Sequence, residues 1–123
     1  MQTDPTATAL AALVAERDLD RLGTRFTDEV RLRALLPGGP IEEHGREAVL
    51  KRFDEWFGEY RTVVLEDAGG ELVGDRLLVH YRLGFEPGTD DARALTQTWV
   101  SSVAEDGQLF RVDLVCSGFR EVA

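Results

Sequence analysis

Between Arg93 and Arg120 the chain reads RALTQTWVSSVAEDGQLFRVDLVCSGFR, two long β-branched and apolar runs on either side of Glu105-Asp106-Gly107. This pattern predicts a hairpin of two long antiparallel strands, because Gly supplies the positive φ that a strand-matching turn requires. Arg61 to Asp67 and Arg76 to Glu86 read as two more strands, with turns expected at Ala68-Gly69-Gly70 and Gly74-Asp75, so the second half of the chain is a meander. Earlier, Val30 to Leu36 alternates with period two: Val30, Leu32, Ala34 and Leu36 fall on one side, Arg31 and Arg33 on the other. That is a half-buried strand, and Pro37-Gly38-Gly39-Pro40 is expected to stop it. No GK[ST] follows these glycines, so they make no phosphate loop.

Helical spacing occupies the rest. Thr3-Asp4-Pro5 offers a capping side chain followed by a proline suited to a first turn, and Leu10, Leu13 and Val14 then recur at helical intervals, predicting a helix over 5–16. Asp18 caps a second short helix in which Leu19, Leu22 and Phe26 form one stripe, and the break at Arg17-Asp18 bends the two apart. The longest helix opens at Gly45-Arg46-Glu47-Ala48 and carries Val49, Leu50, Phe53, Trp56, Phe57 and Tyr60 on one face. An aromatic stripe of that size is expected to pack across the sheet, since exposed apolar patches so large are rare on monomers.

Composition narrows the field. With 123 residues, 43% hydrophobic and 30% charged, the chain suits one soluble domain over 1–123. A net charge of −9, one Lys and 13 scattered Arg disfavour nucleic acid and anionic membrane as partners. A single Cys excludes an internal disulfide, and with two distant His it leaves no expected metal site; no cofactor is expected either. MQTDPTATAL has neither a basic region nor a long apolar core, and no run is long enough to span a bilayer, so a cytoplasmic protein is expected.

The order helix, helix, strand, long helix, four antiparallel strands packs as an α+β fold in which a bent sheet covers helices. With the segments ERDLDRLGTRFTDEV, HGREAVLKRF and EDGQLFRVDLVCSGF, this order resembles the nuclear transport factor two-like superfamily, in particular its SnoaL-like and ketosteroid-isomerase-like branches, over nearly the whole chain. The resemblance implies a cone-shaped barrel of the cystatin-like kind, a strongly bent and mostly antiparallel sheet wrapped around three helices. It implies a blind pocket between helices and concave face, frequent dimerisation, and members that catalyse proton transfers, cyclisations, dehydrations or epoxide opening beside others that only bind.

Carried over residue by residue, the three catalytic places of the isomerase branch fall on Leu10, Ala34 and Trp99. Leu and Ala have no proton to give, and the indole is only a donor, so standard ketosteroid isomerase chemistry is not expected. The same alignment turns Val79, Tyr81, Leu83 and Phe85 towards the pocket, then Leu95, Gln97, Trp99 and Ser101, then Phe110, Val112, Leu114 and Cys116.

The polar members of that lining are the candidates. Tyr81 is a hydrogen-bond donor or general acid, or else a tethered structural hydroxyl. Gln97 and Trp99 orient a substrate or close a core network. Ser101 lacks an adjacent base, Cys116 reads as a small core residue that can touch a ligand, and Trp56 joins the substrate-binding set from the long helix. On the opposite parity His80, Arg82, Arg111 and Asp113 form either an acid-base site or a salt-bridge network; the resemblance puts them outside the pocket, on a face expected to bury itself in a homodimer. His44 reads as a loop or capping residue, with Glu42 and Glu43 beside it as solvated charge.

Two function classes stay open. One is a SnoaL-like cyclase, isomerase or hydrolase acting on a hydrophobic polyketide- or terpenoid-like substrate, with Tyr81 as donor. The other is a non-catalytic binding module for an apolar small molecule.

Overall fold

The computed structural model describes residues 4–122. Three helices, α1 (Pro5–Glu16), α2 (Leu19–Gly23) and α3 (Arg46–Phe57), accompany seven strands: β1 (Phe26–Leu36), β2 (Gly39–His44), β3 (Val63–Val73), β4 (Arg76–Phe85), β5 (Arg93–Val103), β6 (Leu109–Cys116) and β7 (Arg120–Glu121). The strands form one open, curved sheet in the order β2-β1-β6-β5-β4-β3, with β7 on β5. All neighbours are antiparallel except β1 and β6. The α+β expectation and the bent sheet around three helices are therefore realised.

Each boundary has a local cause. The Asp4 carboxylate accepts from Thr6 N–H and Pro5 opens α1. Arg17 ends that helix in the left-handed region, φ 56°, and Asp18 caps α2 through Arg21 N–H. Gly107, at φ 89°, closes the β5–β6 turn with its N–H on Ala104 O at 2.9 Å.

Several expectations need correction, among them His44, which belongs to β2 rather than to a loop or cap because it pairs with Arg31 of β1. Phe26 belongs to β1 rather than to the second helix; its backbone continues into the sheet, and its side chain is fully buried. Pro37-Gly38 is a tight turn rather than a stop, since β2 follows at once and pairs Ala34 with Ile41. Ala68-Gly69-Gly70 lies inside β3, which passes a bulge between Leu65 and Asp67 and runs on to Val73. Gly70 is there for closeness: an added Cβ would strike Leu78 O and come within 2.7 Å of Ala7 Cβ, so α1 rests directly on the sheet. Phe110, expected inside, is 45% exposed, because a register shift between Ser102 and Val103 hands the inward place to Leu109.

The core fills the concave side. Ala7, Leu10 and Val14 of α1 and Val49, Phe53 and Phe57 of α3 meet the inward residues of β1, β4, β5 and β6. Tyr60 lies beyond the end of α3, yet it still packs its ring 4.6 Å from Phe85. Arg17 connects the ends: its guanidinium donates to the carbonyl of Phe57 (3.2 Å) at the end of α3 and to those of Tyr60 and Arg61 beyond it.

Phe53→Ala should lose about 3–5 kcal/mol of stability by opening a cavity. Val112→Asp should be at least as damaging, because it buries a charge with no partner. Phe110→Ser, on the bulge, should change stability by no more than about 0.5 kcal/mol. Urea unfolding checks all three, and comparable losses at Phe110 and Phe53 would refute the bulge assignment.

Candidate functional site

Strand register arranges the concave face in rows. Val79, Trp99 and Leu114 stand abreast on β4, β5 and β6; Tyr81, Gln97 and Cys116 form the next row, and Leu77, Ser101 and Val112 the row on the other side. All of these are buried. With the exception of Phe110, the parity expected from the sequence is the parity found.

Polar groups are few here and nearly all engaged. Trp99 Nε1–H donates to the Tyr81 hydroxyl at 3.0 Å, and that hydroxyl donates to Gln97 Oε1. The connection is diagonal, from one row to the next, within reach of aromatic side chains. The chain stops at Gln97: its residue is 1% exposed, and its Nε2 has no hydrogen-bond partner. A buried amide nitrogen left without an acceptor costs about 1–3 kcal/mol, so its retention needs a cause. Burial holds the Tyr81 phenol well above its ordinary value of 10.0; the Trp99 hydrogen bond opposes that shift and the nearby Cys116 thiol adds to it. Tyr81 therefore stays protonated and serves as a donor.

The other expected residues divide. Ser101 Oγ donates to Leu77 O at 2.7 Å and has no base beside it. Cys116 is buried, and its sulfur accepts from Gly118 N–H at 3.4 Å. Trp56 is half-buried, edge-on to Phe53 with ring centroids 5.3 Å apart; Phe53 in turn lies 5.7 Å from Trp99, so one ring separates Trp56 from the polar chain. Leu10, Ala34 and Trp99 are all buried in the apolar core.

The segment after β6 runs past Pro37 to the aromatic cluster beyond α3, and β7 pairs with β5. Gly118 lies against Pro37, where an added Cβ would meet Cγ at 2.8 Å, and Phe119 packs 5.0 Å from Phe85 and 5.4 Å from Tyr60 while remaining 41% exposed. Between the helices, Leu13, Leu22, Phe53 and Phe57 border a hollow of ≈ 10 Å³, room for scarcely one water.

The acid-base reading of the outer face does not survive the register. His80 stands in the row of Thr98 and Val115, whereas Asp113 stands in the row of Val100 and Leu78. His80 is hydrogen-bonded to Thr98 Oγ1 at 3.1 Å and lies 3.8 Å from Asp67; Asp113 pairs with Arg111 at 3.1 Å and Arg82 with Glu66 at 2.8 Å. The two arginine–carboxylate pairs are exposed, each a small contribution to stability. Glu43, expected to be free, holds Arg52 at 2.8 Å, and exposed His44 lies 3.9 Å from Glu42. Among the described residues no helix is long and apolar enough to cross a membrane, and no three His, Cys, Asp or Glu side chains converge as metal ligands would.

The unpaired amide was not visible in the sequence. Period-two alternation pointed Gln97 inward, but whether its nitrogen would find an acceptor depended on which neighbours the register brought up.

A curved open sheet closed over three helices, with a few donors on an apolar concave face, defines the nuclear transport factor two-like class of fold. Within it, the chain belongs to the SnoaL-like domain family, whose model matches residues 7–112. A comparison with curated proteins by sequence finds no match. Among solved structures, a Catenulispora acidiphila protein of ketosteroid isomerase-like fold, in complex with trimethylamine, shares 18% identity, with 95% of this chain and 88% of that one covered and a TM-score of 0.72. A candidate polyketide cyclase from Xanthomonas campestris shares 21% (88% and 84% covered, TM-score 0.67), and a candidate dehydratase of the NTF2-like family from Streptomyces avermitilis shares 19% (94% and 91%, TM-score 0.59). At such identities the likeness is one of fold.

Tyr81→Phe removes the hydroxyl that links indole to amide, and should cost on the order of 1–3 kcal/mol by leaving Trp99 N–H and Gln97 Oε1 unpaired. The alkaline limb of wild-type stability carries the same information. The folded state holds the Tyr81 proton more tightly than the unfolded chain does, so its contribution is complete below pH 10.0 and is lost as pH rises beyond it. Thermal unfolding from pH 8 upwards should show that decline in the wild type and a smaller one in Tyr81→Phe; identical profiles would refute the buried phenol.

Proposed function

We propose that this SnoaL-like chain is a small-molecule pocket protein whose concave face receives an apolar ligand, with Tyr81, Gln97 and Trp99 as its polar anchor and Ser101, Cys116 and Trp56 as surrounding contacts. The observation that supports it is the Gln97 amide nitrogen, buried and without a partner at the end of a donor chain in an otherwise apolar interior. Binding is favoured over proton transfer, because the inward side chains of β4, β5 and β6 include no carboxylate or imidazole to act as base. The neighbours named as candidate cyclase and dehydratase support a second, catalytic reading, in which the Tyr81 hydroxyl polarises a substrate carbonyl.

A flat steroid or a hydrophobic dye should raise the melting temperature without being converted, and the rise should grow with the logarithm of ligand concentration above its Kd. Trp99→Phe, which keeps the ring and drops the N–H, should reduce it. Steroid isomerisation well above background, lost in Tyr81→Phe, would replace the binding reading with the catalytic one.

The same reading includes a homodimer through the outer sheet face. A groove of ≈ 530 Å³ there places Leu35, Val100 and Val115 among Arg33, Arg111 and Asp113, so apolar area and charges of both signs occur on one self-complementary patch. Asp113 already pairs with Arg111 in its own chain, so the apolar centre is the better point of attack. Sedimentation should find a dimer at micromolar concentration that Val115→Asp dissociates; a wild-type monomer would refute it.

A further inference from the structure

β7 is the continuation of β6 past a bulge. Cys116 stands opposite Gln97 and Arg120 opposite Ala94, so the chain takes four steps on one strand against three on the other. Gly118 absorbs the extra residue at φ 76°, a left-handed conformation in which a side chain would be strained and would also press on Pro37. The slip changes which way Phe119 faces. In an unbroken register it would stand opposite Ala94, in the outward column of Thr96 and Thr98; instead its ring meets Phe57, Tyr60 and Phe85, with centroids 6.4, 5.4 and 5.0 Å away.

Little else holds this segment. β6 lies between β1 and β5, but its pairing with β1 ends at Leu35 and Val115, and beyond that point the chain has β5 alone beside it. The attachment to β5 consists of Ser117 N–H on Thr96 O at 2.9 Å, Thr96 N–H on Ser117 Oγ at 3.0 Å, and the two residue pairs of β7. Phe119, Arg120, Glu121 and Val122 are all exposed. A segment with one-sided pairing and exposed side chains opens at far lower cost than the core of a sheet. Beneath it, by contrast, Phe57 and Phe85 are buried, and so is Cys116, whose sulfur accepts from Gly118 N–H.

We propose that residues 117–122 act as a lid on the ring cluster of Phe57, Tyr60 and Phe85, hinged at Gly118 and latched by Phe119, which opens while the rest of the sheet stays folded. Opening withdraws a ring that is 41% exposed from two that are buried, and it removes the Gly118 contact from the Cys116 sulfur. The closed cluster becomes an accessible aromatic patch each time. The bulge makes the latch, because it turns an aromatic side chain inward just where the strand has lost its second neighbour. The lid does not depend on which ligand the concave face receives.

Cys116 is the single cysteine of the chain, so its alkylation reads the opening directly. The whole protein is treated with iodoacetamide at a series of urea concentrations below the unfolding transition, and its gain in mass is followed in time. The wild type should alkylate at a rate that hardly changes with urea, since a short lid exposes little surface when it opens. Phe119→Ala should alkylate about tenfold or more faster, because the latch is gone, and Gly118→Ala should also be faster, because the hinge no longer fits. Leu10→Ala, which weakens the whole fold from α1, should leave the rate below the transition unchanged. A wild-type thiol that reacts only as the whole protein unfolds overturns the lid, as does equal acceleration in Leu10→Ala and Phe119→Ala. No acceleration in Phe119→Ala overturns the latch, and none in Gly118→Ala overturns the hinge. If either variant fails to fold, the wild-type urea series decides alone.

Discussion

The structure turns on the burial of one indole. Trp99 is fully buried at the middle of β5, and its ring meets Phe26 of β1 at 6.4 Å, Phe53 of α3 at 5.7 Å and Tyr81 of β4 at 6.0 Å between centroids. One side chain thereby joins the parallel strand pair, the long helix and the meander. Indole is large enough to fill the centre of a concave sheet, and geometric pairing of rings adds to the area it removes from water. Its N–H must also be satisfied once buried, which brings Tyr81 in, and the phenol in turn brings in Gln97. The polar chain is thus a consequence of how the core is filled, and it ends at an amide nitrogen with no acceptor.

That shortage gives the site its character. A concave face with charged groups would suit proton transfer; this one has a phenol kept neutral by burial and an amide with hydrogens to spare. Such a surface offers hydrogen-bond donors and, on the inward side of β4, β5 and β6, no carboxylate or imidazole. The fold allows this, because the sheet holds the inward residues rigidly while their identity is free to vary, so the same architecture carries different chemistries.

Outside the cone, the forces are weaker and more local. The ion pairs of Arg82 and Arg111 lie along the outer face in water, where screening leaves each of them little energy. Arg17 is the exception in kind: its left-handed backbone ends α1 and its guanidinium gathers three carbonyls at and just beyond the end of α3, so one residue ties the end of α1 to the segment that follows α3.

The sequence by itself determined the elements with a clear period and the sides they turn inward. Alternation on β4 and β5 assigned Tyr81, Gln97, Trp99 and Ser101 to the interior, Asp4-Pro5 and Asp18 placed two helix starts, and Asp106-Gly107 placed the hairpin; each depends on backbone geometry within a few residues. Tertiary structure decided what depends on a distant partner. Phe26 joins a strand because β6 pairs with it, position 70 is a glycine because Leu78 O and Ala7 leave no room for a Cβ, and Phe110 turns outward because a bulge slips the register by one. The same holds for the site: Gln97 could be placed inside from its neighbours in the chain, but its nitrogen is left unpaired only because Tyr81, sixteen residues earlier, takes its oxygen and nothing takes its hydrogens. Periodicity is a local property, and the completion of a hydrogen-bond network is not.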